Sequence, residues 1–272
     1  MEVVAEGTVS QKVEYANARV SVVIPAYNEA KNLPYVLPLI PDCIDEVILV
    51  DGHSIDDTIE VAQRLVPKIK IIEQTGRGKG NALRCGIAAS TSDIIVLMDA
   101  DGSTDPREME RFIEVLLSGA DFAKGSRFIH GGGSDDLTLL RKLGNRALHS
   151  IVNYLFRVRF TDLCYGYNAL WKGCLDFFEV DCEGFEVETL ICLRSCKANL
   201  KIVEVPSYEH PRIYGKSNLR TFEDGWRVLR MILKEWVNGQ SGIKMAVMRC
   251  PDQQKNIAED DLIIWEQVGI VQ

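Results

Sequence analysis

Apolar and polar positions alternate in blocks along this chain, and the blocks predict short strands separated by helices. Apolar runs predict strands at Val20–Ile24, Glu46–Val50, Ile69–Ile72, Ile94–Met98 and Ala120–Lys124. Between them lie a short helix interrupted by Pro34 and Pro38, a helix over Ile55–Leu65 with Ser54 as N-cap and Asp57 at N3, and a helix over Asn81–Ala89. After the Ile94–Met98 run, Asp105 as N-cap, Pro106 at N1 and Glu108 at N3 open a helix with Met109, Phe112, Ile113 and Leu116 on one face. Strands and helices in this alternation predict a mostly parallel, Rossmann-like α/β sheet with helices on both faces, a nucleotide-binding architecture.

The later pattern differs in character. Leu137–Phe160 has helical periodicity, no acidic residue, and Arg141, Lys142, Arg146, Arg157 and Arg159. A second such helix, Phe222–Val237, sets Trp226, Leu229, Leu233 and Trp236 on one side, with Arg227, Arg230 and Lys234 around them. Each fits either ordinary core packing or a surface for an anionic or interfacial partner. The expected organisation is a flexible leader (1–19), one folded domain (20–237) and a polar tail (238–272) that is acidic around Glu259-Asp260-Asp261.

Composition narrows the function classes. A net charge of −8 argues against a general nucleic-acid binder. No apolar run approaches the roughly 20 residues of a spanning helix, and Met1–Arg19 holds no signal-peptide core, so a cytoplasmic location is expected. The eight cysteines form no Cys-x-x-Cys pair, so neither a zinc site nor a disulfide framework is expected.

The chemistry concentrates where the Ile94–Met98 strand ends, in Asp99-Ala100-Asp101-Gly102. Ligands of open α/β sheets gather at the carboxyl ends of strands, so these two carboxylates stand where a hard cation and a diphosphate could be held. Gly76-Arg77-Gly78-Lys79-Gly80 is not a phosphate-binding P-loop: Glu73 replaces its first glycine and Gly80 its Ser or Thr. A basic, glycine-rich turn opening a helix can still contact a phosphate, with Lys79 at hand.

Several segments together resemble the family 2 glycosyltransferases of GT-A fold: Val22–Glu29, Asp51-Gly52-His53-Ser54-x-Asp56-Asp57-Thr58, Met98–Asp101 and Gly125-Ser126-Arg127. Asp162 with Tyr165-Gly166-Tyr167, Gly184-Phe185-x-x-Glu188, Glu204-Val205-Pro206 and Arg212-x-x-Gly215-Lys216-Ser217 resemble its dolichol-phosphate mannosyltransferase branch. The resemblance implies an inverting transferase using a nucleotide-sugar donor and Mg²⁺ or Mn²⁺. It implies that Pro25, Tyr27, Glu29 and Asp51 line the nucleoside pocket, that Asp99 and Asp101 hold the metal, and that Arg127, Arg212 and Lys216 neutralise phosphates. Two departures stand out: Gly52-His53 follows Asp51 where the family has a second aspartate, leaving GDP or UDP open, and Asn168 replaces a basic residue.

The acceptor divides the readings. A phosphate acceptor is already anionic and needs no general base, whereas a hydroxyl does, with Asp162 and Glu188 the candidates. The expectation is a membrane-peripheral hexosyltransferase acting on a polyprenyl phosphate at the cytoplasmic face. Alternatives are a soluble family 2 enzyme glycosylating a hydroxyl, or a catalytically silent nucleotide-sugar binder. Nucleotidyl transfer is disfavoured, because Pro25-Ala26-Tyr27-Asn28-Glu29 stands where a pyrophosphorylase has a glycine-rich loop.

Overall fold

The structure, a computed structural model, describes residues 18–177, 179–215 and 220–239. Nearly all of the expected leader and tail, and Lys216 and Ser217, lie outside the described residues. Strands β1 (Val20–Ala26), β2 (Glu46–Asp51), β3 (Lys70–Glu73) and β4 (Ile94–Leu97) alternate with helices α1 (Leu33–Val36), α2 (Thr58–Leu65) and α3 (Gly78–Ala89). Then come α4 (Met109–Leu117), β5 (Phe122–Ser126), β6 (Gly133–Ser134), α5 (Leu139–Phe156), β7 (Asn168–Trp171), α6 (Val187–Lys197), β8 (Ile202–Pro206), β9 (Tyr208–Glu209) and α7 (Thr221–Gly239).

Seven strands form one sheet in the order β3-β2-β1-β4-β7-β5-β8, and β6 pairs with β9 beside it. The sheet is parallel except for β7, which runs antiparallel to both β4 and β5. The sequence pattern misses β7, a four-residue strand whose first residue is polar: Asn168 is buried, its amide donating to the Tyr165 carbonyl at 3.1 Å. Side chains alternate across the sheet as the pleat requires. Val22, Ile24, Leu49, Ile94 and Val96 pack under α1, α2 and α4; Val23, Ile48, Val50, Ile95 and Leu97 pack under α3, α5, α6 and α7.

Two helix starts differ from expectation. Helix α2 begins at Thr58, because Ser54 bonds the turn after β1 instead of capping, while Asp56 accepts from both Ala30 of that turn and the Thr58 amide. Asp105 does cap, accepting from the Arg107 amide, but it opens a 3-10 turn over Pro106–Glu108 before α4.

Helix α7 also turns an unexpected side inward. Val228 and Ile232 are buried together with Asp224 and Glu235. Glu235 is tolerated there because Arg194 (2.8 Å) and Lys197 (2.8 Å) of α6 pair with it. Trp226 and Leu233 therefore face out, Trp226 with 60% of its surface exposed.

Candidate active site

Strands β1, β2 and β4 end side by side, and their turns are stitched to one another. The Asn28 amide donates to Ser54 Oγ (2.9 Å), the Glu29 amide to Thr58 Oγ1 (2.9 Å) and the Ile55 amide to Asn28 Oδ1 (2.9 Å). Asn28 and His53 both take left-handed backbone conformations, φ 58° and 63°. These bonds hold Asn28 there, in a region costly for most side chains, and His53 Nδ1 lies 3.1 Å from Glu73 Oε1. The polar residues after Asp51 thus build a rigid shelf carrying Tyr27 and Glu29. Asp51 lies beneath it, accepting from the Ser54 amide at 3.0 Å, with its Oδ1 buried and unpartnered.

At the β4 end, four carboxylates meet two cations. Lys79 Nζ lies 2.5 Å from Asp99 Oδ1 and 2.7 Å from Glu188 Oε1. Arg212 bridges Glu29 Oε1 (2.8 Å) and Asp101 Oδ2 (2.9 Å), while Asp101 Oδ1 accepts from the Ser103 amide. Burial, reinforced by repulsion from Asp101 and Glu188, raises the Asp99 carboxyl above its usual range despite Lys79. Burial likewise raises Glu29, against the bonds from Asn32 and Arg212. Burial opposes the charge on Lys79, but Asp99 and Glu188 outweigh it and hold the ammonium above its usual range. The cluster carries two negative charges beyond what its own cations compensate.

Glycines permit this crowding. A Cβ at Gly166 would lie 2.6 Å from Lys79 Nζ and 3.0 Å from Asp99 Oδ2, so only glycine lets the Tyr165-Gly166-Tyr167 segment pass without shifting Lys79. Gly78 and Gly80 abut the backbone carbonyls of Glu183 and Cys182. The glycine-rich turn is thereby explained as close packing that delivers Lys79 to the carboxylates.

A second charged group lies deeper. Arg127 pairs with Asp162 through Nε (2.7 Å) and Nη2 (3.0 Å) and with Glu209 through Nη1 (3.0 Å), and its guanidinium stacks 4.8 Å over the Tyr165 ring. Asp162 has no exposed surface and also accepts from Asn145 Nδ2 at 3.0 Å. Burial alone would raise the Asp162 carboxyl; Arg127 outweighs it and holds the group low. Of the two candidate bases, Asp162 does not reach the cleft and Glu188 is ion-paired. Arg127 edges the cleft but is committed to two carboxylates. Asn168, within β7, is likewise away from it.

One cleft of 1260 Å³ joins these parts. Pro25, Tyr27, His53 and Gln74 line one end and Asp99, Asp101, Lys79 and Glu188 the middle. The other end opens between α5 and α7, where Gly144 and Gly225 leave space. Cys164 also lines it, with burial pushing its thiol up to about 12, so it is no thiolate nucleophile. Asn32, Gln74 and Tyr214 escaped sequence reasoning, since single amides and a loop tyrosine carry no periodic signal. Ser54 and Asp56 did stand within a quoted motif.

Among the described residues no group of three or more His, Cys, Asp or Glu side chains is arranged to hold a metal ion. Asp99 and Asp101 nevertheless fit Mg²⁺ or Mn²⁺ of the kind that arrives with phosphate: one or two carboxylates suffice when phosphate oxygens and waters complete the shell, and the excess negative charge matches one divalent ion.

Comparison with known proteins agrees with this geometry. Residues 21–172 match the family model Glycosyl transferase family 2. The chain is 32% identical over 211 residues to a dolichol-phosphate mannosyltransferase of Pyrococcus furiosus, covering 74% of this chain but 59% of that protein's length. It is 30% identical to an undecaprenyl-phosphate mannosyltransferase of Micrococcus luteus, over 74% of this chain and 87% of the relative. The fold resembles glucosyl-3-phosphoglycerate synthase of Mycobacterium tuberculosis, a structure with Mn²⁺ and UDP-glucose, at a TM-score of 0.65 and 22% identity over 82% of this chain and 81% of that one.

Proposed function

The chain belongs to glycosyl transferase family 2, and we propose that it moves a hexosyl group from a GDP- or UDP-sugar to a polyprenyl phosphate at the cytoplasmic face of a membrane. The nucleoside would lie on the shelf formed by Pro25, Tyr27 and Glu29, with Asp51 beneath. Asp99 and Asp101 would hold Mg²⁺ or Mn²⁺, which neutralises charge on the leaving diphosphate when bound. Lys79 and Arg212 add positive charge beside the same oxygens, and Lys216 belongs to the same expectation.

The observation that carries the acceptor choice is the state of the two carboxylates. Asp162 is buried against Arg127 and Glu188 is paired with Lys79, so neither stands as a free base. An anionic phosphate needs none, which favours it over a hydroxyl. The open end of the cleft supports the same reading. On the two helices that line it, Leu139, Leu140 and Leu143 of α5 and Phe222, Trp226 and Leu233 of α7 are exposed, as are Lys142, Arg230 and Lys234. That composition suits an anionic membrane surface. Among the described residues no helix is long and apolar enough to cross a membrane, so contact would be interfacial. The relatives named as dolichol-phosphate and undecaprenyl-phosphate mannosyltransferases point to lipid phosphates as well.

The test is nucleoside diphosphate release from GDP-mannose, UDP-glucose and UDP-N-acetylglucosamine with Mn²⁺ or Mg²⁺, with and without a short polyprenyl phosphate. Release stimulated by the lipid phosphate is expected and identifies the base. Release indifferent to the lipid but stimulated by a hydroxyl acceptor would overturn the acceptor assignment. Donor binding with neither transfer nor hydrolysis would make the chain a silent binder.

A further inference from the structure

Arg212 occupies an unusual position for a residue meant to meet a phosphate. Both terminal nitrogens of its guanidinium are held by protein carboxylates, Nη1 on Glu29 and Nη2 on Asp101 Oδ2. With Asp101 Oδ1 accepting from the Ser103 amide, both oxygens of Asp101 already have donors. A divalent cation and Arg212 therefore compete for the same oxygen.

The segment carrying Arg212 is tied down around this contact. The Ile213 amide donates to the Asp101 carbonyl at 3.3 Å, and the Ile213 side chain lies over Gly102, where a Cβ would meet its Cδ1 at 2.5 Å. Asn32 accepts from the Tyr214 amide (2.9 Å) and donates to the Tyr214 carbonyl (3.2 Å). Its amide also donates to Glu29 Oε2 at 2.5 Å. The Tyr35 and Tyr214 hydroxyls meet at 3.3 Å. Residues 212–214 thus form a strap joining the donor shelf to the Asp99–Asp101 turn, and the Arg212 bridge sits at its centre.

We propose that Arg212 holds the place of the metal on Asp101 before donor binds: a divalent ion must displace its guanidinium from Asp101, and the displacement loosens the strap and frees Arg212 for the diphosphate. The exchange keeps charge in balance. Guanidinium and divalent ion both satisfy Asp101, and the guanidinium that leaves one anion is delivered to another arriving at the same place. Metal without diphosphate binds against this competition, whereas metal with diphosphate gives Arg212 a new partner. The site is thereby selective for the metal–nucleotide pair. This inference rests on the reading that the divalent ion binds at Asp99 and Asp101.

The experiment measures Mn²⁺ binding to the full chain, without nucleotide, by electron paramagnetic resonance titration of wild type, Arg212→Met and Asp101→Asn. Arg212→Met is expected to bind Mn²⁺ about tenfold more tightly, the loss of one charge-assisted competitor, and Asp101→Asn to lose most binding. In wild type, saturating Mn²⁺ should speed hydrogen exchange at the Ile213 and Tyr214 amides, a readout that needs no variant. Unchanged or weaker Mn²⁺ binding by a folded Arg212→Met protein, or unchanged exchange at both amides, overturns the displacement. If Asp101→Asn binds Mn²⁺ like wild type, the metal reading itself fails and the proposal falls with it.

Discussion

Two charged clusters lie within a few residues of each other and use the same ingredients to opposite ends. Around Arg127, one guanidinium meets the fully buried Asp162 and Glu209 at the edge of the cleft, with Asn145 completing the bonds of Asp162. Around Asp99 and Asp101, four carboxylates share Lys79 and Arg212 at the wall of an open cleft. In the first cluster Asp162 is held on both oxygens by Arg127 and Asn145, and the group fixes where loops lie. The second is left with surplus negative charge and a displaceable cation. Arginine–aspartate pairing by itself therefore assigns no role; burial and the balance of charge do.

The sharpest way to break this comparison is to cut each cluster once. Asp162→Ala should leave the Arg127 guanidinium buried with Glu209 alone, costing about 3–5 kcal/mol of stability in denaturant unfolding. Asp101→Asn should instead leave unfolding nearly unchanged or slightly more stable, because it removes a repulsive charge from the second cluster. Its transfer rate should fall about 100-fold. A variant pair with these effects reversed would exchange the two roles.

Acid should separate the clusters by sign in the metal-free protein. Asp162 has its folded pKa depressed, so its contribution to stability is full above the ordinary carboxylate value and is lost as pH falls through the folded one, below about pH 4. Asp99 and Glu29 have folded values raised, so falling pH relieves their strain on the fold before the Asp162 contribution fades. Urea midpoints measured from pH 7 downward should therefore hold or rise slightly before collapsing, and Asp162→Asn should remove the collapse attributable to this pair.

The smallest effect on function is expected at Gly166→Ala. The added methyl meets the far end of a flexible lysine, which can swing aside at little cost to folding. Lys79 would then leave Asp99 and Glu188, and donor affinity should drop roughly tenfold, the scale of one charge-assisted contact. Isothermal titration with the donor against thermal unfolding of the same samples checks the separation.

How much of this was legible in the sequence follows from the kind of signal each part emits. The β1, β2 and β4 strands were readable because runs such as Ile94–Met98 are buried on both faces. The carboxylates of Asp99 and Asp101 were readable because they directly follow such a run. Strand β7 was not, because four residues beginning with Asn168 look like loop until long-range partners bury the amide. The outward side of α7 was ambiguous for a related reason: Glu235 looks like a solvent residue until Arg194 and Lys197, some 40 positions earlier, are seen to enclose it. Ser54 as a helix cap was a local inference defeated by a distant one, since Asn28 claims its hydroxyl.

The reversed strand β7 has a consequence for the order in which the molecule can assemble. It lies between β4 and β5, yet some 40 residues separate β5 from β7 in the chain. During synthesis, β1 to β3 can pair with their chain neighbours as each βα unit emerges and β4 can then dock on β1, while β5 must wait for β7 to join it to the growing sheet. The β1–β4 half can thus form early, whereas the half that brings Glu188 and Arg212 to the carboxylates closes last. Until then the edge of β4 is exposed backbone, and the interval before β7 arrives is when this chain is most open to pairing with another.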